Sequence, residues 1–250
     1  MKKYEKKGLQ NNEFFESMKN RGDLNGDGKM ILIDDSLKAL LPRAALGVLS
    51  CAADVAESGA DQLTEFDKLT EALETKYPDL PFVAQNPHIA ATREAYKTLG
   101  KDPSKYRNSA EAMLRRIAKK NGLYRVNNAV DINNMISVES GYSLGSYDLA
   151  AVKGQIVWKR TPDGEKYRGI GKDVLNIEHL PALYDDEGVF GNPTSDSRRT
   201  MINPGQGRRL LYVIYAFDGA EELPVWLDKT EALLVKFANA RDVEKRVVSV

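Results

Sequence analysis

The segment 126–141 (VNNAVDINNMISVESG) holds the polar side chains whose types and spacing best suit chemistry. As a helix from about Asn128, this segment is apolar on most sides. Asn127, Asp131 and Asn134 then form one polar stripe, because they are spaced by four and three residues. A buried helix with such a stripe needs hydrogen-bond partners for it. Those partners are either loop backbone, with Asn127 and Asn128 capping the helix, or a bound ligand.

A second polar segment is the loop 191–200 (GNPTSDSRRT). Asn-Pro and Thr-Ser-Asp-Ser are turn formers whose side chains bond local backbone. Next to two arginines, such a loop suits a ribose and phosphate, or the carboxylate or amine of an amino acid. An ordinary solvated turn before the next strand explains the same residues. The candidate binding residues of this loop are Asn192, Thr194, Ser195, Asp196, Ser197 and Arg198.

Charge is unevenly spread, although the total of 36 basic and 36 acidic residues gives a net charge of zero. Residues 88–125 hold ten basic and three acidic side chains, a balance of +7, whereas residues 30–87 have a balance of −6. The neutral total excludes nucleic-acid binding through gross positive charge, but it leaves room for one basic face. Basic helices with interleaved tyrosines suit an RNA backbone, and a solvated helix pair is the alternative. The candidate RNA contacts are Arg115, Arg116, Lys119, Lys120 and Arg125.

A family resemblance rests on two of these segments and the residues between them. Residues 125–134 (RVNNAVDINN) and 143–148 (SLGSYD) resemble the editing domain of bacterial phenylalanyl-tRNA synthetase beta chains, the tRNA-binding B-three/B-four module. The similar pattern continues through 164–169 (GEKYRG) to 190–197 (FGNPTSDS). It covers about 88–218, and extends from Met30 onward in free-standing members. Because no other synthetase module accompanies it, we expect a free-standing relative.

The resemblance implies a hydrolase that removes a wrong amino acid from tRNA, and it assigns three catalytic candidates. Asn134 matches the pocket asparagine of the family and would orient the aminoacyl group. The family's pocket histidine falls on Gly145, which we count among the substrate-binding positions with Asn127 and Asn128. Thr194, with loop backbone donors, would stabilise the oxyanion. Asp196 would position water or bind the substrate amine.

We therefore expect a trans-acting aminoacyl-tRNA deacylase in the cytoplasm, with tRNA as its partner. The alternative is a non-catalytic module that binds tRNA or an amino acid, and Gly145 in place of histidine favours it. An enzyme that reuses the pocket for a different small substrate is the third option. We expect no membrane association, since no window approaches the length of a transmembrane helix. We also expect no DNA partner and no obligate protein partner.

Cysteine, histidine and acidic residues limit the cofactors. Cys51 is the only cysteine, which excludes an internal disulfide and fits a reducing cytosol. With only two histidines, the sequence does not favour a His-rich metal site. Asp23, Asn25 and Asp27 have the spacing of a calcium loop, but a polar turn explains them equally simply. Calcium there is the one cofactor that the sequence leaves open.

The elements that must position these residues are helices first and short strands later. Strands are predicted at 31–33 and 44–49, and β-type runs follow residue 141, of which 209–217 is the strongest. Helices are predicted at 35–41, 61–76, near 88–98 and 108–121, from about 128, and near 225–240. The pattern predicts a single α+β domain over 30–250, a largely antiparallel sheet flanked by helices and B-three/B-four-like, with 1–29 as an N-terminal extension.

Overall fold

Seven α-helices and eleven β-strands make up the part of the chain that the computed structural model describes, residues 31–171 and 174–250. The helices are α1 (Asp35–Lys38), α2 (Ala60–Lys76), α3 (Leu80–Ala84), α4 (Pro87–Leu99), α5 (Ser109–Ala118), α6 (Asn128–Ser140) and α7 (Leu223–Ala238). The strands are β1 (Ile31–Ile33), β2 (Ala45–Val55), β3 (Ser143–Asp148), β4 (Ile156–Arg160), β5 (Lys166–Arg168), β6 (Val174–Asn176), β7 (Pro181–Asp185), β8 (Gly188–Asn192), β9 (Ser195–Asp196), β10 (Gly205–Ala216) and β11 (Arg241–Ser249).

The larger strands form a four-stranded antiparallel sheet in the order β11-β2-β10-β3. Strand β2 and residues 210–216 of β10 are near-continuous apolar runs, because both faces of the sheet are buried there. Leu211, Val213 and Tyr215 belong to one core cluster, and Tyr212 and Ile214 to another that includes residues of α6 and α7. The sheet therefore lies between two apolar layers.

A second sheet has the order β1-β4-β7-β8-β9, and a separate hairpin pairs β5 with β6. Within this second sheet, β1 and β4 are parallel and the other neighbours are antiparallel. Trp158, Leu183 and Phe190 are fully buried and share a cluster with residues of the first sheet. The short strand β9 at the sheet's edge carries Ser195 and Asp196, so the polar loop is held by strand pairing.

Side-chain caps fix the ends of the helices that border the site. Asn86, Asn108 and Asn127 accept backbone N–H groups at the starts of α4, α5 and α6. Gly100 and Gly141 follow α4 and α6 with positive φ angles, the conformation that glycine adopts without strain. None of the helices in the described ranges is both long and apolar enough to span a membrane.

The predicted α+β class, with antiparallel strands flanked by helices, is confirmed, but the strands form two main sheets rather than one. Strand β11 was missed because its residues are mostly charged and exposed, as expected at a sheet edge. The extension 1–29 and the candidate calcium residues Asp23, Asn25 and Asp27 lie outside the described residues.

Candidate active site

A cavity of about 340 Å³ lies between helices α5 and α6, strand β3 and the loop that contains β9. Its volume is that of a site for a small ligand. Much of the wall is apolar, and the polar groups come from segments far apart in sequence. The lining includes Ser109, Met113, Arg116, Val130, Asn133, Asn134, Leu144, Ser146, Thr194, Ser195, Asp196 and Ile202.

Helix α6 brings two asparagines to this cavity. Asn133 and Asn134 are each only 6% exposed, and the Asn133 amide donates to Asn134 Oδ1 at 3.4 Å. Asn133 Oδ1 is buried without a hydrogen-bond partner in the described part of the chain, and so is Ser109 Oγ across the cavity. A buried acceptor without a donor is costly. These two atoms therefore favour a ligand that supplies N–H or O–H groups.

The loop 192–196 is shaped by the side chain of Asn192. Asn192 Oδ1 accepts the backbone N–H groups of Thr194 at 2.9 Å and of Ser195 at 3.2 Å, and its amide donates to Tyr167 Oη at 3.0 Å. Thr194 Oγ1 bonds Tyr96 Oη at 2.8 Å, which leaves its hydroxyl further capacity toward the cavity. The expectation that loop backbone donors would stabilise an oxyanion is wrong for these two N–H groups, because Asn192 already occupies them.

Asp196 is the acidic group of the cavity. Tyr147 Oη donates to Asp196 Oδ1 at 2.8 Å, and the Ser146 backbone N–H also donates to this carboxylate. Burial raises the pKa of Asp196 to about 7, although both hydrogen bonds act in the opposite direction. Tyr147 Oη is also 2.8 Å from Tyr215 Oη. Since Tyr147 uses its only proton on Asp196, Tyr215 donates to Tyr147, and the three groups form one buried chain.

Two glycines leave the room that the Tyr147 hydroxyl occupies. A Cβ atom on Gly145 would lie 1.9 Å from Tyr147 Oη, and one on Gly191 would lie 2.2 Å from it. Any larger residue at either position would displace the phenol. Tyr147 therefore fills the space beside Gly145. This glycine, predicted as a substrate-binding position, is not among the residues that line the cavity.

Comparison with known proteins gives the family. The model of the B3/4 domain matches residues 91–221, just over half of the chain. The chain belongs to the B3/4 domain family. No curated protein matches its sequence.

One solved structure similar to this B3/4 protein is the crystal structure of an N-terminal fragment of the phenylalanyl-tRNA synthetase beta-subunit from Pyrococcus horikoshii. The two share 12% sequence identity, with a TM-score of 0.47. The match covers 91% of this chain and 56% of the other, so this chain spans just over half the length of that fragment. The family resemblance read from residues 125–134 and 143–148 is confirmed.

The B3/4 fold brings five of the predicted site residues to the cavity, namely Asn134, Thr194, Ser195, Asp196 and the candidate RNA contact Arg116. Other candidates have structural contacts elsewhere. Asn127 caps α6, and Asn128 Oδ1 accepts the Ala56 N–H while its amide donates to the backbone oxygens of Asp54 and Phe237. Neither lines the cavity.

Three further candidates from the loop 191–200 also lie away from the cavity. Asn192 and Ser197 are buried, and Ser197 caps the short 3-10 turn 198–200, which begins with the exposed Arg198. None of these three residues lines the cavity. Asn192 supports the loop from behind, through the hydrogen bonds described above.

The cations of the basic segment 88–125 fall into two groups, those that contact other residues of the protein and those that are exposed. Arg125 pairs with Asp67 and lies over the Phe66 ring, and Arg116 donates to the carbonyls of residues 121 and 122 while lining the cavity. Arg115 lies 4.0 Å from the buried Glu111 carboxylate. Lys119 and Lys120 are exposed just beyond the last turn of α5. As RNA contacts all five remain predictions.

Sequence reasoning missed Asn133, Ser109 and Tyr147. The Asn-Asn pair at 133–134 was visible, but only Asn134 matched the family pattern. The signal for Tyr147 was the pairing of a tyrosine with Gly145 two residues earlier on the same strand face. Within residues 31–171 and 174–250, no group of three or more His, Cys, Asp or Glu side chains is arranged to hold a metal ion.

Proposed function

We propose that this B3/4 protein is a trans-acting aminoacyl-tRNA deacylase, which binds tRNA and hydrolyses a mischarged aminoacyl ester. Membership in the B3/4 family supports a tRNA-related function. The observation that carries the catalytic part is the Asp196 carboxyl, whose pKa is raised to about 7 at a cavity wall shared with Asn134 and Thr194. A base that titrates near neutral pH is suited to proton transfer at that pH.

The chemistry assigns one role to each group. Ionised Asp196 accepts a proton from a water molecule as the water oxygen bonds to the ester carbonyl carbon. The Asn134 amide and the Thr194 hydroxyl are the side-chain donors available to the developing oxyanion. The ester C–O bond then breaks, and the proton passes from Asp196 to the departing ribose oxygen. The products are a free amino acid and uncharged tRNA.

The unpartnered atoms of the cavity suit the amine of the aminoacyl group. An ammonium group has three donors, and Asn133 Oδ1 and Ser109 Oγ are acceptors without partners in the described residues. The apolar wall formed by Met113, Val130 and Leu144 would then pack against the amino-acid side chain.

The deciding experiment is a single-turnover deacylation screen of the purified protein against a panel of mischarged tRNAs. For a substrate that reacts, we expect Asn134→Ala and Asp196→Asn each to slow hydrolysis by about 10-fold or more while tRNA affinity stays near wild type. Asn203→Ala and Asp163→Asn are matched controls, because both residues are exposed and outside the cavity. Wild-type rates in both cavity variants would refute the assignment of this site.

The alternative function is a non-catalytic module that binds tRNA or an amino acid. Gly145 favours it, because the imidazole of the family pattern is missing. Saturable tRNA binding without hydrolysis of any ester in the panel would replace the deacylase proposal by this one. The cytoplasmic location remains a prediction.

A further inference from the structure

A second cavity, of about 370 Å³, adjoins the first. The two cavities have Ala112, Thr194 and Ser195 in common, so one stretch of the α5 surface and one turn of the loop form a wall of both. The rest of the second cavity is formed by Lys105, Tyr106, Arg107, Leu175, Asn176, Ile177 and Leu180.

Two cations, Lys105 and Arg107, line this second cavity. Arg107 Nε is buried without a hydrogen-bond partner in the described part of the chain, and its nearest carboxylate oxygen, on Glu111, is 3.7 Å away. The same Glu111 is engaged by Arg93 at 3.0 Å and faces Arg115 at 4.0 Å. One buried carboxylate thus faces three guanidinium groups, and the cluster keeps a net positive charge. Lys105, which also lines the cavity, adds another cation.

Other residues that line the second cavity suit a flat, partly polar group. Leu175, Ile177 and Leu180 form an apolar surface, and Tyr106 adds an aromatic ring. Lys101 Nζ lies 3.8 Å from the centroid of that ring and donates to Asn176 Oδ1 at 2.9 Å. Cations, an aromatic ring and an apolar surface in one cavity are the features that recognise a nucleotide.

We propose that the second cavity binds the 3′-terminal nucleotide of the RNA, with its phosphate at Arg107 and Lys105 and its base against Tyr106 and the apolar surface. This inference rests on the proposed deacylase function. The shared wall supports it, because the ribose of the terminal nucleotide carries the ester. An acyl group in the first cavity, with its ester carbonyl at Thr194, would place that ribose at the shared wall and its base and phosphate toward the adjoining cavity.

The test measures binding of uncharged probes, so it does not depend on hydrolysis. Titration of the full chain with AMP, adenosine and inorganic phosphate should give the highest affinity for AMP, at least 10-fold above either part. Backbone N–H resonances of residues 175–177 should shift on addition of AMP. Arg107→Gln should weaken AMP binding by about 10-fold, and Arg107→Lys by less, because it keeps the charge. Lys68→Gln is the matched control, since this exposed cation lies outside the cavity.

Kinetics separate this inference from the deacylase proposal. Arg107→Gln should raise the KM for the reactive mischarged tRNA with little change in kcat, whereas Asp196→Asn should lower kcat and leave AMP affinity unchanged. AMP binding without any deacylation would keep the nucleotide site and overturn only the deacylase. Deacylation with no AMP binding, or AMP binding that Arg107→Gln leaves intact in a folded variant, would overturn the nucleotide site.

Discussion

Tyr147→Phe tests whether the Tyr147 hydroxyl sets the titration of Asp196. The substitution removes the donor that lies 2.8 Å from Asp196 Oδ1 and leaves the ring in place. The ring itself is held by an edge-to-face contact with Phe190, with centroids 5.0 Å apart, so the variant should fold. The carboxylate would keep the hydrogen bond from the Ser146 backbone N–H.

The expected size of the effect follows from the energy of one hydrogen bond to a charged group. Such a bond contributes about 1.5–3 kcal/mol, which corresponds to roughly 1–2 pKa units. Because the bond favours the ionised form, its loss raises the pKa of Asp196 from about 7 to roughly 8–9. At pH 7 the ionised fraction, and with it the deacylation rate, should fall by about 5- to 50-fold.

The assay is single-turnover deacylation from pH 5.5 to 9, with the spontaneous hydrolysis of the ester subtracted at each pH. In the wild type the rate should rise with pH and level off above about 7, the pKa of Asp196. In Tyr147→Phe the same rise should occur roughly 1–2 pH units higher, so that the rate still increases with pH where the wild-type rate has levelled off. Carbon-13 NMR of the Asp196 carboxyl measures the same pKa without any substrate.

Tyr215→Phe is the matched control, because Tyr215 reaches Asp196 only through the Tyr147 hydroxyl. Its titration should move less than that of Tyr147→Phe. An unchanged pKa in folded Tyr147→Phe, or a rate reduced equally at every pH, would refute the reasoning.

Three further outcomes are expected. Gly191→Ala should lower the free energy of unfolding by about 1–3 kcal/mol, because the new Cβ overpacks against the Tyr147 phenol. Gly59→Ala is the control and should lower it by less, since nothing lies within 4 Å of its Cβ. Chemical denaturation measures both free energies. The wild-type free energy of unfolding should fall between about pH 4 and pH 7, by at most about 1.4 kcal/mol per pH unit from Asp196. The folded chain retains this proton after the unfolded chain has lost it, and Asp196→Asn should remove that contribution. Replacing Lys119 and Lys120 together by Gln should weaken tRNA binding and reduce its salt dependence, as filter binding at two salt concentrations would reveal.

Helix α6 illustrates how far the sequence alone reaches. Its bounds were predictable because the caps Asn127 and Gly141 and the apolar spacing are local features. The polar stripe was not one functional face. Asp131 accepts from the Ser58 hydroxyl at 2.6 Å and from the Val126 N–H at 2.9 Å, and Asn134 faces the cavity. Helical spacing predicts which residues share a side, but the neighbouring segments decide what each of them meets.

By itself, the sequence determined the α+β class, the main helices, the strongest strand and the family, because periodicity, caps and motifs are properties of short stretches of chain. Only the tertiary structure decided the environment of Asp196. Its partner Tyr147 is 49 residues away in sequence, and the two meet because β3 pairs with β10 while β9 closes the edge of the other sheet. The raised pKa depends on burial and on hydrogen bonds between these distant segments, and no local pattern encodes either.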